Sequence, residues 1–223
     1  MCYSVESSFR TTAISFISIV YLLSSNIPHF QWIGIALIGW CGMQFDELLL
    51  WLTDPRKECT KWNEIITMTL IPLVILLQAL CSLWGALYVF PWNKMSNSTK
   101  NFMIYFTVIC IIIVYFIHFY KPDKTCTTVS EKGHLLWITN NYIHYDDIIL
   151  PYIWFVIIVI PFFLFWEKSV KLLLLIAILP AIGIYIGKFT DAQGSIWCFY
   201  TSYTSIIASI ALFLYQSGVY RIL

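Results

Sequence analysis

Charge is missing from six long stretches of the chain. No Asp, Glu, Lys or Arg occurs in residues 11–45, 65–93, 101–120, 148–166, 172–187 or 192–220. A helix takes roughly 20 residues to cross about 30 Å of hydrocarbon, at about 1.5 Å per residue. The first stretch is too long for one crossing and is broken at Ser24-Ser25-Asn26-Ile27-Pro28, a turn-rich pentapeptide. Splitting it there predicts seven spans, near residues 8–24, 30–52, 64–89, 101–120, 147–166, 170–189 and 195–216. The fold class expected is all-α: one polytopic domain over residues 1–223, a seven-transmembrane-helix bundle.

Composition supports lipid as the main solvent. The chain is 60% apolar and 11% charged, against about 45–50% and about 25% for soluble domains. Its 13 Lys and Arg against 12 Asp and Glu leave a net +1, so neither a basic nucleic-acid face nor an acidic partner is implied. A membrane β-barrel would show strands of about ten residues alternating polar and apolar. Residues 108–117 and 172–179 are instead apolar on every side. Glu6 and Arg10 give no basic start for a cleaved leader, and no small-x-small site follows Leu23, so the first span is expected to stay.

Tryptophans at 32, 51, 62, 92, 137, 166 and 197 fall near span ends, where amphipathic rings are enriched. Gly183 and Gly187 form a small-xxx-small pair suited to close helix approach. Pro72, Pro161 and Pro180 lie inside spans and should kink them.

Seven crossings place the termini on opposite sides. The N-terminal side collects Arg10, Arg56, Lys57, Lys61, Lys121, Lys124, Lys132 and Lys188, against Lys94, Lys100, Lys168, Lys171 and Arg221 opposite. Counting Lys and Arg alone favours a cytoplasmic N-terminus. The sequon Asn97-Ser98-Thr99 on the other side agrees.

Two groups of residues carry candidate chemistry. Cys59, Cys126 and Cys198 come from three loops or span starts on the N-terminal side, with His134 eight residues after Cys126. Three thiolates and an imidazole are a common tetrahedral zinc set. A disulfide between two of the loops, or unrelated packing, are the alternatives, and an extracellular face would favour the disulfide. Zinc is the one metal these residues suggest.

The second group lies in the membrane. Asp46 and Glu47 sit about five residues from the end of the second span, where ionised acids cost roughly 2.5–3.5 kcal/mol at the bilayer centre. Trp40, Gln44, Glu47 and Trp51 share a helical face, with Asp46 about a third of a turn away. Asn63, Thr67 and Gln78 form a stripe on the third span, and the last span opens with hydroxyls from Tyr200 to Ser205. These side chains suggest a polar cavity serving a proton, an ion or a small ligand, centred on Glu47. The alternative is that both acids reach interfacial water. Asp146 and Asp147 after His144-Tyr145 fit either a metal or a helix start.

Other seven-helix chemistries fit poorly. A retinal protein needs a lysine midway along its last helix, and none occurs in residues 192–220. His29, His118, His134 and His144 do not reproduce the zinc site of lipid amidases related to alkaline ceramidase. A different resemblance rests on Met43-Gln44-Phe45-Asp46-Glu47-Leu48-Leu49-Leu50-Trp51, Cys59 with Asn63, Gln78, Cys126 with His134-Leu135, and Gly194-Ser195-Ile196-Trp197-Cys198. Together these segments resemble a family of multipass membrane proteins of giant DNA viruses of protists. The resemblance implies a viral origin and a host or virion membrane, and it supplies no activity. Three roles follow as expectations: a non-enzymatic channel, transporter or receptor-like bundle; a membrane-embedded metal-dependent hydrolase; or a structural viral membrane protein without ligand.

Overall fold

A computed structural model describes residues 4–119, 124–136, 149–165, 170–187, 189 and 193–219. It is built of α-helices with one short hairpin. Helix α1 spans Val5–Leu23 and α2 spans Pro28–Leu52. A continuous rod, Lys61–Tyr88, is made of α3 (Lys61–Ile65), a π-turn (Ile66–Leu70), α4 (Ile71–Trp84) and a closing 3-10 turn (Gly85–Tyr88). Helices α5 (Asn97–His118), α6 (Ile149–Phe165), α7 (Val170–Gly187) and α8 (Gln193–Gln216) follow. Strands β1 (Thr128–Val129) and β2 (Leu135–Leu136) pair antiparallel between α5 and α6. Each stretch expected to span thus contains helix. Four of these helical segments, Pro28–Leu52, Lys61–Tyr88, Asn97–His118 and Gly194–Gln216, are long and apolar enough to cross a membrane.

Local chemistry sets the helix ends. The hydroxyls of Ser4, Thr60 and Ser96 accept from the backbone N–H three residues on, capping α1, α3 and α5. Pro28 occupies the first position of α2, where its missing N–H costs nothing. Pro72 is absorbed differently from a simple kink. The π-turn lies directly before it, and Ile71 N–H reaches back five residues to the Ile66 carbonyl. That wider turn makes room where the proline ring would otherwise meet a carbonyl of the preceding turn. Pro161 and Pro180 sit inside α6 and α7.

Helix α2 is the hub, packing against α1, α4 and α8, while α7 lies along α8. Two glycines set the closest approaches. A Cβ on Gly39 would run into the Leu77 carbonyl and come within 2.7 Å of Gln78 N, so α2 and α4 cross almost backbone to backbone. A Cβ on Gly183 would lie 3.1 Å from Trp197 Cα, which brings α7 onto α8. Around these crossings Trp32, Trp40, Phe30, Leu37, Ile71 and Ile158 form the core. Trp32 and Phe162 stack at 4.7 Å.

The surface inverts the pattern of a soluble protein. Helix α1 buries Ser8, Thr11, Ser15 and Ser18 along one stripe, and exposes Phe16 (67%) and Ile17 (68%). Helix α5 buries only Met103, Cys110, Val114 and His118 and turns Tyr105 (66%) and Ile109 outward. Phe163 on α6 and Phe213 on α8 also point out. Exposed apolar surface this continuous needs lipid or a partner to cover it.

Candidate functional site: three polar clusters in an apolar bundle

The first cluster is a ladder of indoles on α4. Trp32 Nε1 donates to the Ser82 carbonyl (2.7 Å) and Trp40 Nε1 to Ser82 Oγ (2.8 Å). Trp154 Nε1 donates to Gln78 Oε1 (2.8 Å). Gln78 therefore joins α6 to α4. Trp32, expected near an interface, is fully buried here because its N–H finds a core carbonyl. Trp51 and Trp197 are also buried, whereas Trp62 and Trp92 are exposed.

The second cluster clasps the N-terminal face. Asn63 Nδ2 donates to the Thr127 carbonyl (2.9 Å), and its Oδ1 accepts from Thr127 N–H (2.9 Å) and Thr67 Oγ1 (3.0 Å). All three residues are buried. Beside this network a disulfide joins Cys59 and Cys126, with Cα atoms 5.8 Å apart and a sequence separation of 67. Two of the four candidate zinc ligands are thereby bonded to each other. Cys198 is buried within α8, outside the bridge. No group of three or more His, Cys, Asp or Glu able to hold a metal occurs among the described residues. His144, Asp146 and Asp147 lie outside the described residues.

His134 is buried in the hairpin, where its N–H donates to Ser130 Oγ and its carbonyl accepts from Ser130 N–H. Burial pushes its imidazole pKa down, and the nearby Lys132 charge adds to this. Lys132 Nζ in turn donates to the Phe189 carbonyl (2.7 Å), tying the hairpin to the segment between α7 and α8. A cleft of about 550 Å³ opens at this face beside Cys59, Cys126, Glu58 and Glu131.

The third cluster is the acidic one. Gln44, Asp46 and Glu47 are all buried, at 0%, 2% and 0% exposure. Gln44 Nε2 donates to Glu47 Oε2 (3.0 Å), and Thr11 Oγ1 of α1 lies 2.6 Å from Gln44 Oε1. The pairing is dictated by the α1 stripe: Thr11 is the hydroxyl that meets α2 at this level. Ser8 Oγ and Asp46 Oδ2 have no hydrogen-bond partner among the described residues. Further along the seam Cys41 Sγ donates to the Thr201 carbonyl (3.8 Å). The α8 hydroxyls Thr201, Ser202 and Ser205 bond back to their own helix carbonyls, which satisfies them without a neighbour.

The residues expected to share one cavity therefore divide. Gly39 abuts Gln78, and Glu47 lies eight residues further along α2, about 12 Å by helical rise. Asn63 belongs to the clasp. Tyr200, half-buried, has its Cβ 3.0 Å from the position of a Gly183 Cβ, so it sits on the α7 side of α8. Gln44, Asp46 and Glu47 remain together. Sequence reading missed the α1 hydroxyl stripe, although Ser8, Thr11, Ser15 and Ser18 recur at helical spacing. Compared with known proteins, the chain matches no family model, no curated protein and no solved structure.

Proposed function

We propose that the protein is a non-enzymatic integral membrane bundle crossing the bilayer seven times, and that Glu47 is its functional centre, taking up a proton or a small cation. One observation carries the reading: large apolar side chains face outward while two carboxylates and a stripe of hydroxyls face inward. An acid inside a membrane protein is expensive, and such residues mark proton and ion pathways. Gln44, on α2 itself, holds Glu47, Thr11 of α1 donates in turn to Gln44, and the neighbouring Asp46 supplies a second carboxylate. Close packing by hydroxyls suits a proton better than a hydrated ion. The family resemblance adds a host or virion membrane as the place of action.

Purified protein in liposomes containing a pH-sensitive dye tests this. An imposed membrane potential is expected to drive proton uptake with the wild-type chain, and Glu47→Gln is expected to abolish it while the protein remains folded. Equal flux in both removes Glu47 from the mechanism. No flux in either leaves the structural viral membrane protein as the reading.

A further inference from the structure

The disulfide bears on which way the bundle faces. Cys59 and Cys126 line a cleft open to solvent, whereas Cys41, Cys81 and Cys110 lie within helices. The bridge meets its compartment through Cys59, which is exposed, while Cys126 is buried. Its alignment does not depend on the bond alone, because Asn63 and Thr67 hold Thr127, the next residue after Cys126, by three hydrogen bonds to the Thr127 backbone. The two thiols are preset at 5.8 Å between Cα atoms, inside the range that a disulfide spans. Such pairs stay reduced in the cytosol and oxidise outside it.

We infer that the face carrying Cys59, Cys126 and the hairpin lies in an oxidising compartment, so that the N-terminus is exoplasmic and the C-terminus cytosolic. The inference rests on the seven-crossing reading and extends it by fixing its direction. Forming the bond removes two protons and two electrons from the thiols, delivered to a disulfide-bearing oxidoreductase of that compartment. The orientation opposes the one favoured by counting Lys and Arg, where the margin is eight to five. That count is a statistical bias. A disulfide between solvent-facing loops is a chemical condition on the compartment. In this orientation Asn97, the first residue of α5, faces the cytosol and stays unglycosylated.

The full chain, translated into eukaryotic microsomes with a glycosylation-competent tag at its N-terminus and an epitope at its C-terminus, tests the assignment. The expected result is a glycosylated N-terminal tag, a C-terminal epitope removed by added protease, and a reduction-sensitive gel mobility that Cys59→Ser/Cys126→Ser abolishes. A cytosolic N-terminus with a protected C-terminus overturns the orientation and leaves seven crossings standing. Both ends in one compartment overturns the crossing number itself. An exoplasmic N-terminus with Cys59 and Cys126 both alkylatable overturns the redox argument.

Discussion

The clasp at the N-terminal face and the acidic seam between α1 and α2 are both polar and both buried, yet they are finished differently. In the clasp, Asn63 spends its amide on three partners and Thr127 is held by both backbone groups. In the seam, Ser8 Oγ and Asp46 Oδ2 keep hydrogen-bonding capacity that no described residue uses. A buried polar network with every member satisfied rigidifies a fold, while unmet capacity costs stability. The clasp therefore reads as architecture. On the proposed reading the seam is where a proton comes and goes.

Removing the covalent part of the clasp is the severest way to probe this contrast. Cys59→Ser/Cys126→Ser opens a loop with a sequence separation of 67 residues, and loop entropy of that size predicts a loss of about 4 kcal/mol. Thermal unfolding in detergent reads it as a large drop in Tm, and an unchanged Tm contradicts the architectural role. Asn63→Ala comes next. It strands the Thr127 carbonyl, while Thr127 N–H keeps Thr67 Oγ1, and should cost about 1–3 kcal/mol, with proton flux per folded molecule unaltered. By contrast, Glu47→Gln is expected to stay within about 1 kcal/mol of wild type while losing flux. If Asn63→Ala lowered flux and Glu47→Gln lowered only Tm, the two regions would have exchanged roles.

The smallest effect is one of pH. Burial depresses the His134 pKa in the folded protein, so the unfolded chain binds the proton more readily. Stability is then greatest above the unfolded value near 6.5 and declines as pH falls from there toward the lower folded value. His134→Gln should flatten that part of the Tm-against-pH curve. A curve of the same slope would assign the dependence to other groups.

Much of the fold was legible because lipid and periodicity leave coarse marks. Charge-free stretches located the long helices among the described residues, and the turn at Ser24–Pro28 marked the gap between α1 and α2. Boundaries moved by a few residues where capping decided them: α5 begins at Asn97 because Ser96 caps it. Asp46 and Glu47 could be picked out because charge inside so apolar a stretch is rare. The division of the other polar residues was hidden. Whether Gln78 meets Glu47 or Trp154 depends on the register set by Gly39 against Leu77, a tertiary fact that no spacing within one helix reveals. The disulfide stood among alternatives for the same reason, since only the fold brings residues 59 and 126 together.

The hydroxyl stripe of α1 also bears on how the chain is assembled. Helix α1 is not among the four segments apolar enough by themselves to partition into a bilayer. Ser8, Thr11, Ser15 and Ser18 would meet hydrocarbon if it entered alone. Delivered together with α2 as a helical hairpin, it shields those hydroxyls against Gln44 and its neighbours from the outset. On the seven-crossing reading proposed above, biogenesis is coupled to the seam: the contact between Thr11 and Gln44 that leads to Glu47 is also one that shields the first helix on entry.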